Sequence, residues 1–199
     1  MIKYQFNKTS MTDMSKQLKM RERALPTIKS KESALRLEVK KAKDKAKELD
    51  AKLVQLIDNY DYMVSLWGEF DPALVKVVDV KLSADKIAGV LIPALDDVEY
   101  QIKPYNPFTS PMWIKDGVEI LKSLAQIGIE REVYTRRGEL IEKARKKTTQ
   151  KVNLYEKVQI PGYMEAMRKI KRFLEDEENL SKSAQKIVKE RIENAANNA

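Results

Sequence analysis

A chain of 199 residues with 34% charged side chains, 7% aromatics and only six glycines has too few bulky core residues for one compact globule of that length, and a long helical hairpin fits better. It contains neither cysteine nor histidine, which excludes disulfides, thiolate metal sites and histidine-based acid–base catalysis. The formal net charge of +8 points to an acidic partner surface, nucleic acid or an anionic membrane without choosing among them.

The opening Met1-Ile2-Lys3-Tyr4-Gln5-Phe6 lacks the apolar stretch of a signal peptide. No apolar run approaches the roughly 20 residues that span a bilayer, so a soluble protein with at most peripheral membrane contact is expected. The first predicted element is a helix over 12–68. Thr12-Asp13 reads as its N-cap, and Gly68 followed by Pro72 as its stop. Its apolar positions, Leu35, Val39, Ala42, Ala46, Leu49, Leu53, Leu56, Tyr60, Met63 and Trp67, keep three–four spacing for more than four heptads. That is the seam of a coiled coil. The seam continues weakly upstream through Leu18, Leu25 and Ile28, interrupted by Pro26, which removes one backbone hydrogen bond and predicts a helix bend.

Over 71–111 the period shortens. Residues 73–82 read as a strand, Ser83-Ala84-Asp85 as a turn, 86–93 as a second strand and 98–103 as a third short one. Pro104, Pro107 and Pro111 make the return irregular. The apolar run Val90-Leu91-Ile92 is hard to bury on two strands alone. Ile87, Gly89, Val90, Leu91 and Pro93 are therefore expected to form an interaction hairpin outside the coiled-coil core, against the competing reading of a cap that merely turns the chain.

A second helix is predicted over 116–194. Its seam runs Ile120, Leu124, Ile127, Arg131, Tyr134, Gly138, Ile141, Arg145, Thr148, Val152, then resumes out of phase at Ile160, Tyr163, Met167, Ile170 and Leu174, followed by Ala184 and Ile187. The slip near Pro161-Gly162 reads as a coiled-coil stutter. The chain 1–199 thus reads as one elongated, mainly α domain: a long antiparallel two-helix coiled coil with a small β-hairpin region between its helices. Setting Trp67 level with Ile120 puts Met63 near Leu124, Leu53 near Tyr134 and Leu35 near Val152, with Pro26 level with Pro161 in a joint bend. It also leaves the end of the second helix overhanging, because Met1 already faces about Lys186. Ala42, Ala46 and Gly138 should then form a thin waist.

No residues are expected to be catalytic, to bind a cofactor or to hold a metal. The glycines are too scattered for a phosphate loop and no Gly-x-Ser-x-Gly elbow occurs. Glu175-Asp176-Glu177-Glu178 would point in several directions on a helix, and Asp96-Asp97 reads as a polar turn. The lysines of 40–52 are interleaved with Asp44, Glu48 and Asp50, the pattern of solvent-facing ion pairs rather than of a nucleic-acid stripe.

Three stretches carry a family resemblance. Leu18-Lys19-Met20-Arg21 followed by Ile28-Lys29-Ser30-Lys31-Glu32-Ser33-Ala34-Leu35 is the first. Ile87-Ala88-Gly89-Val90-Leu91-Ile92-Pro93 is the second, and Val152-Asn153-Leu154-Tyr155-Glu156 with Ile160-Pro161 and Leu174-Glu175-Asp176-Glu177-Glu178 the third. In this order and spacing they resemble the D subunit, the central stalk, of the V/A-type rotary ATPases. The resemblance implies a non-catalytic rotor shaft at the cytoplasmic face of the membrane. Its termini would enter the ring of catalytic and regulatory nucleotide-binding subunits. Its middle would sit on the funnel subunit above the ion-carrying ring, with a small F subunit alongside, and without nucleic acid or membrane insertion. A coiled-coil adaptor or tether, and a basic nucleic-acid-binding coiled coil, are the alternatives.

Overall fold

The computed structural model describes residues 2–106, 108 and 110–197; Met1, Pro107, Thr109, Asn198 and Ala199 lie outside them. Helix α1 (Lys8–Asn59) is followed by a 3-10 turn (Asp61–Met63), the single turn α2 (Val64–Trp67) and a second 3-10 turn (Pro72–Leu74). Strands β1 (Val75–Ile87) and β2 (Val90–Ile102) come next, then α3 (Ile114–Asn153), a π-helical segment (Leu154–Gln159) and α4 (Ile160–Asn197). The chain is mainly helical, with long first and last helical stretches and an antiparallel hairpin between them, as its periodicity predicts. α1 begins before Thr12 because Asn7 is its N-cap: the Asn7 carboxamide oxygen accepts the Ser10 backbone N–H at 2.6 Å, satisfying one of the first turn's orphan donors. Thr12 lies inside the helix, and its hydroxyl donates to the Lys8 carbonyl.

The described residues fall into two compact units, one from 2–30 with 148–197, the other within Lys31–Lys147. In the second unit α1 and α3 run antiparallel. Leu35, Val39 and Ile141 form a buried cluster with Ile92 of β2, and Ala144 packs against it. Arg131 pairs with Asp50 at 2.9 Å. Gly138 faces Ala42, and a methyl group placed on it would meet the Ala42 Cβ at 3.7 Å. Of the three small residues expected at the waist, Ala42 and Gly138 do face each other. The register differs from expectation by about one heptad: the expected register puts Gly138 opposite Leu49, and Leu35 near Val152 rather than Ile141 and Ala144. The cause lies at the far end. There Trp67, Phe70, Leu74, Val118 and Leu121 do share a cluster, close to the expected level of Ile120. Regular α-helix ends at Asn59, however, and Tyr60 donates its N–H to Ile57 in a tighter turn. The expected register carries residues 60–67 along one helix axis, whereas they turn the chain.

The hairpin turns at Ala88-Gly89, not at Ser83-Ala84-Asp85. Ile87 pairs with Val90, while Ser83, Ala84 and Asp85 pair with Ala94, Pro93 and Ile92. A two-residue hairpin turn of the type that takes left-handed backbone at both positions matches the twist of the flanking strands. Gly89 takes φ +79° without cost, and Ala88 takes φ +48°, which costs an alanine about 1 kcal/mol. The expected third strand is the continuation of β2. Register shifts between Val77 and Asp79 and between Lys81 and Leu82 mark two β-bulges. The Lys103 N–H to Leu74 carbonyl bond, 2.9 Å, closes the base.

In the first unit the start of α1 runs antiparallel to α4, with Ala166 and Ile170 buried. Residues 2–6 lie along α4: Ile2 reaches Gly162, and the Phe6 ring sits 4.9 Å from that of Phe173. Arg21 donates to the Gln159 side chain at 2.6 Å and stacks over Tyr163 at 4.7 Å. Pro161 therefore stands at the level of Arg21, not of Pro26, and the two prolines do not form a joint bend. The phase slip is not a stutter at Pro161-Gly162. It is the π-helical segment immediately before it, where Ile160 donates to the Tyr155 carbonyl five residues back.

Two glycines of α3 give opposite expectations for one substitution. Gly138→Ala makes only ordinary contact and should stabilise by about 0.5–1 kcal/mol through helix propensity. Gly117→Ala would put a methyl 2.9 Å from the Phe70 ring and should destabilise by about 1–3 kcal/mol. Urea unfolding of the isolated chain checks both signs.

Candidate interfaces

The seam residues divide by burial. Leu35, Val39, Leu49, Met63 and Ile141 are buried. Leu53, Tyr60, Trp67, Ile120, Leu124, Ile127 and Tyr134 are half-buried in the same unit, and Val152 is half-buried in the other. Trp67 stacks edge-on against Phe70 at 5.3 Å, so its indole packs rather than recognises. Pro26 lies inside α1, on an exposed position.

The hairpin does not stand outside the coiled-coil core. Ile92 is 1% exposed, and Ile87, Ala88 and Val90 pack against its cluster with Leu35, Val39 and Ile141. A two-stranded ribbon cannot bury its own apolar face, and this one uses the helix pair to do so. Leu91 alternates to the other side and is 65% exposed; Pro93 lines a groove against α3. Val78 and Leu82 are exposed apolar side chains on the hairpin along with Leu91.

That groove, about 460 Å³, is lined by Asp85, Asp97 and Tyr100 from the hairpin and by Glu130, Tyr134 and Arg137 from α3, among others. Burial raises the Tyr100 phenol above its ordinary pKa, with the Asp97 charge adding to the shift; its hydroxyl lies 3.4 Å from the Lys122 carbonyl. Asp96 accepts a hydrogen bond from Ser83 at 2.8 Å. Among the described residues no three acidic side chains converge as metal ligands.

Many charges elsewhere are paired. Lys41 meets Glu38, Lys45 and Lys52 share Glu48, and Lys182 meets Glu178. Hydrogen bonds from Lys52 and then Lys45 hold the Glu48 carboxyl below its ordinary pKa. Arg145 grips Glu142 with two hydrogen bonds of 2.8 and 2.9 Å and approaches Glu32 at 3.5 Å, tying α3 to α1. The Arg145 bond lowers the Glu142 pKa. Its contribution to stability is thus present at neutral pH and lost as pH falls through the folded-state value.

The expected register leaves the end of the second helix overhanging, but sequence reasoning did not single out the exposed apolar series that α4 carries there. Leu180, Ile187, Val188 and Ile192 are 72%, 51%, 54% and 64% exposed, although Ala184 and Ile187 continue the seam spacing. The signal was available: this stretch lies beyond the point where the first helix has residues left to face it. At the hairpin end of the chain Tyr62, Val64, Phe108 and Met112 are also exposed, Phe108 and Met112 almost completely.

Comparison with known proteins bears on which partners these surfaces meet. The family described as the ATP synthase D subunit matches residues 10–190. The chain is 31% identical over 191 residues to the V-type ATP synthase D subunit of Borreliella burgdorferi, covering 95% of each chain. It is 26% identical over 174 residues to that of Chlamydia pneumoniae, 85% of this chain and 83% of the relative. With the Chlamydia muridarum protein of the same description it shares 29% over 176 residues, covering 85% and 86%.

The packing of the hairpin is testable residue by residue. Ile92→Ala should cost about 2–5 kcal/mol, the range for a fully buried branched side chain. Leu91→Ala, one residue away on the exposed face, should stay within about 0.5 kcal/mol. Ala88→Gly should stabilise by relieving the left-handed backbone. Equal losses at Ile92 and Leu91 would contradict the docked hairpin.

Proposed function

The chain belongs to the family of ATP synthase D subunits, and from that membership we propose that it is the central rotor shaft of a V/A-type ATPase or ATP synthase. The shaft couples ATP hydrolysis or synthesis in a catalytic head to proton or sodium transport through a membrane sector. It carries torque and performs no catalysis itself.

The observation that carries this reading is the contrast between the two kinds of apolar surface. Within each unit the paired helices bury their seam, at Leu35, Val39 and Ile141 in one and at Ala166 and Ile170 in the other. Interlocked seams resist sliding, which a torque-bearing element needs. The end of α4 instead keeps Leu180, Ile187, Val188 and Ile192 exposed, a helix with an apolar stripe and no helix to cover it. In this reading the stripe meets the inner wall of the ring of catalytic and regulatory nucleotide-binding subunits. Tyr62, Val64, Phe108 and Met112 face the funnel subunit over the ion-carrying ring, and a small F subunit lies along α1 and α3. The shaft sits at the cytoplasmic face, peripheral to the membrane; among the described residues no helix is long and apolar enough to cross one.

The chain tagged in its native cells should co-purify nucleotide-binding ATPase subunits, identified by mass spectrometry. Nucleic acid retained instead, in a salt-sensitive way, would count against the reading. Removing residues 180–199 should leave the Leu35–Ile141 core intact and uncouple ATP hydrolysis from ion transport in the reassembled complex. Full coupling in that truncation would overturn the assignment of the stripe to the head.

A further inference from the structure

The π-helical segment has a physical cause and a consequence. The seam through Val152 and Tyr155 should step to position 159 in heptad spacing, but resumes at Ile160, one residue late. A π turn closes its hydrogen bond over five residues instead of four. Ile160 donating to the Tyr155 carbonyl takes up that one residue, so α4 keeps its apolar side against α1. Pro161 helps to place the wide turn, because it lacks an N–H and its ring would press on the Lys157 carbonyl in an ordinary α-helix. The polar links from α1 land in this segment. Lys29 meets Glu156 at 2.8 Å. Arg21 donates through Nε to Gln159 at 2.6 Å and through Nη1 to the Gln17 side chain at 2.6 Å and the Gln17 carbonyl at 3.0 Å. The Arg21 guanidinium also lies over Tyr163 at 4.7 Å and Tyr155 at 5.9 Å, so one side chain contacts both ends of the wide turn.

We propose that Leu154–Gln159 is a latched joint: the π turn stores one surplus residue, Arg21 holds it there, and release turns α4 about its own axis by about one residue, roughly 100°. In the released state the surplus residue passes into regular helix. α4 then presents a different side to α1 and to residues 2–6, and the exposed series Leu180, Ile187 and Ile192 turns with it. Arg21 is a positioning residue, and the joint concerns this chain alone, so its failure would leave the rotor reading untouched.

The absence of native cysteine makes the test direct. In the full chain carrying Phe6→Cys and Phe173→Cys, whose parent rings lie 4.9 Å apart, a short thiol cross-linker reports the phase of α4. Arg21→Ala should slow cross-linking and raise amide exchange over 154–163 by about 10-fold, the loss expected for charge-assisted hydrogen bonds. Arg21→Lys, which keeps charge but not the planar fork, should fall between. Deleting Val158, which is 60% exposed, removes the surplus residue. Alone it should leave cross-linking at the parental rate, and combined with Arg21→Ala it should restore that rate. Three outcomes would each overturn the joint: unchanged exchange in Arg21→Ala, loss of cross-linking in the folded deletion variant, or a deletion that does not rescue Arg21→Ala. Should the deletion variant fail to fold, the Arg21 series still decides.

Discussion

The structure depends on apolar side chains at three- and four-residue spacing, which leave water only by facing a second helix. Neither α1 nor α3 has a globule to pack on, so each is the other's interior. Leu35 and Ile141 reach complete burial in the cluster they share with Val39 and Ile92, and burying one such side chain is worth about 1.5–3 kcal/mol. Charged residues fill the remaining faces as local pairs, several of them three or four positions apart on one helix. Exposed pairs of this kind add little stability; they keep the outer faces soluble while the seam carries the fold.

The hairpin and the π-helical segment are two answers to that constraint. A two-stranded ribbon has one apolar face and no second sheet, so β2 lends Ile92 to the cluster that the helices begin with Leu35, Val39 and Ile141. The turn at Ala88-Gly89 then lies beside Lys31, whose Nζ would sit 3.4 Å from a Cβ on Gly89. In the other unit the seam itself is one residue out of phase. There the helix changes its hydrogen bonding over Leu154–Gln159 rather than expose Ile170.

Much of this was legible in the sequence because period survives without knowledge of the partner. The two seams, the intervening short-period stretch and the slip near Pro161 all announce themselves in residue spacing. Three things did not. The α1–α3 register failed because spacing alone does not reveal that Tyr60 leaves the helix axis, so that the residues after it turn the chain instead of adding rise. The hairpin turn was misplaced because polar Ser83-Ala84-Asp85 outweighed Gly89, although only glycine supplies φ +79° freely. The docking of Ile92 was invisible because the apolar run Val90-Leu91-Ile92 gives no sign of which side faces the helices; its burial against Leu35, Val39 and Ile141 shows that side. The exposed end of α4 was the converse case: its pattern is a seam, and only the lack of a covering helix among the described residues leaves it exposed.

The central claim is that this chain turns while the catalytic head stands still. The most direct measurement immobilises the assembled complex by its head and follows a bead attached to the shaft through a cysteine introduced at exposed Lys47, in a chain that has no other. The account predicts continuous rotation in one direction on addition of ATP, stopping when ATP is withdrawn. A bead that stays fixed relative to the head while the same complexes hydrolyse ATP would contradict it.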